Sequence, residues 1–158
     1  FPQGTLSPML DALARAPLWA AGCDYGHGTG HGVGYFLNVH EGPQSISKTI
    51  ADANMAMQPG MITSIEPGLY RPGQWGVRIE NLVLNVAAPS TEPFGEFLAF
   101  ETLTLCPIDT RCVDLSLLRP DEVQWLNAYH ASVRERLQPL VDGAARDWLL
   151  ERTQPLCG

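Results

Sequence analysis

Three histidines and two glutamates have the types and spacing for chemistry. His27 and His31 lie four residues apart in GHGTGHGVG, and His40 follows nine residues after His31. Glu66 closes the apolar run MITSI, and Glu80 lies inside VRIENLVLNV. Imidazole with two carboxylates is the donor set of a hard-to-borderline divalent cation. An ionised carboxylate among apolar strand neighbours is costly unless a positive charge meets it. For Glu80 that charge is either a metal or Arg78, which stands two residues earlier and so on the same face of a strand. Glu66 is followed directly by Pro67 and Gly68, a rigid strand exit of the kind that functional groups favour. His130, in the C-terminal region, reads as a residue satisfied by ordinary hydrogen bonds.

Five glycines fall within the nine residues Gly26–Gly34. That density excludes a helix, so the two histidines sit on loop or short strand. Glycines at this frequency serve unusual dihedrals or very close approach. Other uses of a glycine loop fail on detail. In GxGxxG register the third glycine falls on His31, Val33 or Tyr35. There is no GKS or GKT, and no GxSxG. Cys23 precedes His27 by four residues, but nothing marks its thiol as activated.

The elements that must position these groups follow from pattern. Ser7-Pro8 opens a helix through MLDALAR, Pro17 ends it and opens a shorter one, LWAA, and Gly22 stops the pair. Residues 35 to 60 lack periodicity. MITSI (61–65), VRIENLVLNV (77–86) and AFETLTLCPI (99–108) read as strands, with the turn chemistry of LYRPGQWG between the first two. Pro120 starts an amphipathic helix with Leu126, Tyr129, Val133 and Leu137 on one face, and Asp142 is placed to cap a last helix carrying Trp148 and Leu149. Antiparallel strands flanked by helices make the chain α+β, one domain by default at 158 residues and 45% hydrophobic content. Ten basic against seventeen acidic residues give a net charge of −7, which argues against nucleic acid or an anionic membrane as partner. No apolar run reaches the roughly 18 residues of a membrane span. Cys23, Cys106, Cys112 and Cys157 form no CxxC pair and read as reduced thiols of a cytoplasmic protein. The opening FPQGTLSP, without an initiator methionine, reads as the start of a piece of a longer chain.

HGTGHGVGYFLNVHEGP, SIEPGLY, GVRIENLVL and FETLTLCPIDTRCVDLSLLRPDEVQWLNAYH together resemble the C-terminal part of the aminopeptidase P family, over nearly the whole chain. The histidine, EPG and RIE elements are shared with the wider pita-bread metallopeptidases. The resemblance implies the second half of a pita-bread fold, with a C-terminal helical extension over about 118–153. It implies removal of the N-terminal residue from peptides with proline second, by two divalent metal ions, most often Mn2+. Carried over, His31 and Glu66 resemble ligands of one metal, Glu66 also helping to activate water, and Glu80 resembles the carboxylate bridging both. His27 and His40 resemble the pair that binds substrate and moves protons, and Arg78 the arginine that supports them. The family's two aspartate ligands have no counterpart motif, since Asp11 and Asp24 match neither. The chain therefore holds three of five ligands, and alone it is expected to be inactive, to bind at most one metal weakly and to self-associate as a homo-oligomer. Two alternatives stand beside this reading, a prolidase-type dipeptidase and a non-catalytic pita-bread binding module.

Overall fold

A computed structural model describes residues 1–36 and 38–156, and Cys157 lies outside them. The chain divides into two compact units, Phe1–Thr104 and Leu105–Gly158. The sequence reading had one domain with an extension from about 118.

In the first unit, helix α1 (Pro8–Ala20) is followed by strands β1 (Gly30–His31), β2 (Ser45–Ile46), β3 (Ile62–Ile65), β4 (Gly68–Arg71), β5 (Trp75–Arg78), β6 (Asn81–Ala88) and β7 (Phe97–Thr102). All pairings are antiparallel, in the orders β1-β2, β3-β6-β7 and β4-β5. A bridge from Gly32 to Thr63 sets β1 beside β3. Leu10 of α1, Ile46, Met57 and Leu98 form the buried core, with Phe1, Met61 and Ile65 packed against it. The α+β expectation holds.

Helix α1 runs without a break through Pro17. Proline removes the hydrogen bond to the carbonyl four residues back, that of Leu13. Pro17 and Leu13 both lie on the exposed face, so water can take up that carbonyl and the helix need not end. Ser7 has a helical backbone and no capping bond; its hydroxyl instead accepts the Ser45 N–H at 2.9 Å, tying α1 to β2.

The expected strand over 77–86 is two strands, β5 and β6, with Ile79 and Glu80 in the break. Glu80 is therefore exposed at a strand junction, not set among apolar neighbours. LYRPGQWG supplies most of β4 and the first residues of β5, with only residues 72–74 as turn. Register explains the break. Ile62 pairs with Leu84, Ile65 with Asn81, Gly68 with Arg78 and Arg71 with Trp75, so the same count runs through both ladders. By that count Glu66 stands opposite Glu80, and the ladder is interrupted where two carboxylates would face each other. Like charges directly opposite destabilise a sheet.

The second unit contains α2 (Pro120–Leu137) and α3 (Gly143–Arg152). Leu126, Tyr129, Val133 and Leu149 form its core, with Leu137 partly buried against them, which is the face expected for α2. Strand β7 ends at Thr102, so residues 103–108 are not strand. Asp142 precedes α3 but makes no capping bond, and Trp148 is half-exposed while Leu149 is buried. His130 is fully buried, and its Nε2 accepts the Ile108 N–H at 3.0 Å. No described helix is long and apolar enough to cross a membrane.

Candidate metal centre

The glycine loop delivers its histidines through contact rather than unusual dihedrals. None of its five glycines has a positive φ. A Cβ on Gly30 would overlap the Ser64 carbonyl oxygen, and one on Gly32 the Glu41 carbonyl oxygen. At Gly30 and Gly32 the bare backbone lets β1 lie against β3 and against Glu41. That close approach sets the distance between the histidine loop and the strand carrying Glu66. The Glu66 N–H donates to the Thr29 carbonyl at 2.7 Å, and the His31 N–H donates to Ser64 Oγ at 3.0 Å.

His27, His31, His40, Glu66 and Arg78 line one open cleft of about 450 Å³, together with Ser45 and Ser47. Each ring has a defined partner set. His31 Nδ1 lies 2.9 Å from the Gly32 carbonyl, which can only accept, so Nδ1 carries the proton and Nε2 presents a lone pair. That Nε2 faces Glu66 Oε1 at 3.0 Å. Two acceptors so close require something positive between them, either a second proton or a cation. Glu66 Oε1 also accepts from Ser64 Oγ at 2.9 Å, while Oε2 is met by Arg78 Nη1 at 3.4 Å.

His27 differs. Its Nδ1 donates to the Gly28 carbonyl at 2.7 Å, and its Nε2 accepts from Arg78 Nη2 at 3.3 Å. Both nitrogens of His27 are thus occupied by hydrogen bonds, whereas the lone pair of His31 points at a carboxylate. The His40 ring lies against His31 with centroids 4.2 Å apart, and Tyr70 packs against His27 at 5.6 Å. The donor chemistry of His31 and Glu66 fits a divalent cation.

Arg78 pairs with Glu66 and His27, so the internal Arg78–Glu80 pair weighed from the sequence is not formed. Glu80 makes no ion pair among the described residues and does not line the cleft. Nor do the described residues contain a group of three or more His, Cys, Asp or Glu placed to hold a metal. The structure thus brings His31 and Glu66 together and leaves Glu80 opposite Glu66 by register only. Cys23 lies 3.7 Å from Arg71 Nη2 and does not line the His31 cleft.

Beneath the loop lies a buried ion pair that the sequence reading did not single out. Arg15 is 1% exposed and Asp11 3%. Arg15 Nε donates to Asp11 at 2.7 Å, Nη1 to Asp24 at 2.7 Å and to the Tyr25 carbonyl at 2.8 Å, and Nη2 to the His27 carbonyl at 2.6 Å. Its guanidinium sits 3.9 Å over the Tyr25 ring. Burial pushes the Asp11 carboxyl up, but hydrogen bonds from Arg15 and Thr29 outweigh it and hold the group below its ordinary value. Hydrogen bonds from Lys48 and then Arg15 hold Asp24 well below the carboxylate range. Ser64, the link between His31 and Glu66, was missed as well. Its signal was available, because it lies two residues before Glu66 and so on the same face of the strand.

Comparison with known proteins places this arrangement. Residues 1–86 match the model of metallopeptidase family M24, and residues 96–156 match that of the C-terminal region of peptidase M24. A probable Xaa-Pro aminopeptidase P of Coprinopsis cinerea is 48% identical over 99% of this chain, which spans 26% of that protein. Aminopeptidase P2 of Arabidopsis thaliana is 52% identical over 99% of the chain, which spans 22% of it. Among solved structures, the X-prolyl aminopeptidase of Caenorhabditis elegans, described as a cytosolic enzyme with a di-nuclear active site, superposes with a TM-score of 0.88 at 41% identity. That match covers 99% of this chain and 26% of the other. The chain spans about a quarter of the length of these relatives.

Proposed function

Since the chain belongs to metallopeptidase family M24, we propose that the protein containing it removes the N-terminal residue from peptides whose second residue is proline. The observation that carries this reading is the His31 lone pair facing Glu66 Oε1 at 3.0 Å in an open cleft. The di-nuclear site of the C. elegans relative supports two cations, for which we infer Mn2+, and its cytosolic description supports a cytoplasmic location. Two such cations, when bound, lower the pKa of water and polarise a scissile carbonyl. His31 and Glu66 would hold one of them, and Glu80, opposite Glu66 by register, would be the third ligand from this chain. Facing carboxylates at an interrupted ladder favour a cation over a bare pair. Glu66 takes the proton of the attacking water. Arg78 fixes the His27 tautomer and holds that ring beside the substrate, and the proton taken by Glu66 passes by way of His40 to the departing proline nitrogen.

The 158 residues alone provide one imidazole and two carboxylates, too few donors for two cations. In isolation this chain is inactive, holds at most one metal weakly and self-associates. A binding module would have no use for His31 facing Glu66 inside a cleft flanked by two more histidines. The test is product analysis of the full-length protein, stripped with a chelator and reloaded with MnCl2, on a tripeptide Xaa-Pro-Ala and a dipeptide Xaa-Pro. Release of Xaa from the tripeptide is expected. Cleavage of the dipeptide alone would make it a prolidase, and no cleavage of either with metal restored would overturn the reading.

A further inference from the structure

We propose that Arg15, locked to Asp11, is a positioning residue that sets the Asp24–Thr29 backbone and through it the His27 ring and Glu66. The inference rests on the functional reading above, but its geometry stands apart from the metal. A buried guanidinium is expensive unless several acceptors surround it. Those around Arg15 come mostly from one short stretch. It takes the side chain of Asp24 and the carbonyls of Tyr25 and His27, while the Tyr25 ring covers its face.

Asp11 closes the far end of the same stretch. Its Oδ1 accepts from Thr29 Oγ1 at 2.6 Å, and Thr29 Oγ1 also bonds the Tyr25 hydroxyl. Residues 24 to 29 are thus fixed at both ends by two α1 side chains one helical turn apart. From there the restraint reaches the cleft by two routes. The His27 carbonyl held by Arg15 belongs to the peptide joining His27 to Gly28, and the Gly28 carbonyl in turn accepts from His27 Nδ1. The Thr29 carbonyl accepts the Glu66 N–H. A planar fork can satisfy diverging acceptors at once, which a lysine ammonium on a flexible stem cannot do with the same registration.

The test uses the full-length protein with two variants. Thr29→Val keeps shape and the Arg15–Asp11 pair but cuts the link from Asp11 to the loop; Arg15→Lys keeps charge and removes the fork. Each is measured for kcat and KM on Xaa-Pro-Ala, for thermal midpoint, and for amide exchange at Glu66 and Thr29. Loss of a partner that orients a site group costs about 10–100-fold. In Thr29→Val, kcat is expected to fall by that factor with KM nearly unchanged and the Glu66 amide to exchange faster, with the midpoint lowered by the several degrees that a lost buried hydrogen bond to a carboxylate accounts for but the fold retained. Arg15→Lys is expected to show the same split and not to rescue. Wild-type kcat and Glu66 exchange in folded Thr29→Val would overturn the proposal, even if Arg15→Lys unfolds. Absence of Xaa-Pro cleavage in the wild-type protein sinks the functional reading instead, and the exchange measurement still decides the positioning role.

Discussion

Replacing Ser64 by alanine removes one oxygen and touches both sides of the site. The Ser64 side chain is fully buried, so no solvent-exposed contact is lost with it. Its hydroxyl accepts the His31 N–H at 3.0 Å and donates to Glu66 Oε1 at 2.9 Å. A neutral hydrogen bond contributes about 0.5–1.5 kcal/mol net and one to a charged group about 1.5–3, with an orphaned buried donor at the upper end. The Glu66 side chain is 14% exposed and keeps Arg78 nearby, so water and the guanidinium replace part of the loss there. The half-buried His31 N–H has no such substitute. The sum is about 2–3 kcal/mol. At about 2–4 °C per kcal/mol for a chain of this size, the thermal midpoint of Ser64→Ala should fall by roughly 4–12 °C. In the full-length protein, Mn2+ affinity should drop about 10–100-fold, because the lost hydroxyl orients the carboxylate proposed as a ligand. Circular dichroism melts and calorimetric titration with MnCl2 measure the two. An unchanged midpoint with unchanged affinity would show that the hydroxyl does not couple the histidine loop to Glu66.

Gly30→Ala places a methyl group against the Ser64 carbonyl, which is backbone and cannot rotate away. Overpacking of this kind costs about 1–3 kcal/mol, and it should also weaken Mn2+ binding because β1 must move off β3; a variant with wild-type melt and affinity would contradict the packing argument. In the second unit, burial pushes the His130 imidazole below its ordinary 6.5, with Arg134 adding to the effect, and Nε2 must stay unprotonated to accept the Ile108 N–H. The folded state then binds that proton less readily than the unfolded chain, so this stability is complete above about pH 6.5 and is lost as pH falls through the depressed value. Melts between pH 7.5 and 5 should show the decline, and His130→Leu should flatten it.

The sequence spelled out the fold class and the helix faces because apolar periodicity carries them, as at Leu126, Tyr129 and Val133. It offered the histidines and glutamates as a set because imidazole with two carboxylates suits a divalent cation, while their separate roles, and that of Arg78, came from the resemblance to a known family. It did not expose what depends on long-range contact. Nothing local marks Arg15 as buried beneath the histidine loop, since an arginine on an amphipathic helix ordinarily faces water. The strand through Glu80 looked continuous because β-branched residues run across it, and only the pairing with β3 reveals the interruption opposite Glu66. Pro17 looked like a helix end because local chemistry does not report that the freed carbonyl faces solvent. The glycines of the loop signalled close approach, but their partners, the carbonyls of Ser64 and Glu41, lie more than thirty and nine residues from Gly30 and Gly32 respectively.

In the proposed site His31, not His27, offers its lone pair to a cation shared with Glu66. Electron spin-echo spectroscopy of the Mn2+-loaded full-length protein tests it directly, because an imidazole nitrogen bound to Mn2+ modulates the echo. A nitrogen signal that survives His27→Ala and disappears in His31→Ala is expected. A signal that persists in His31→Ala and vanishes in His27→Ala would contradict it.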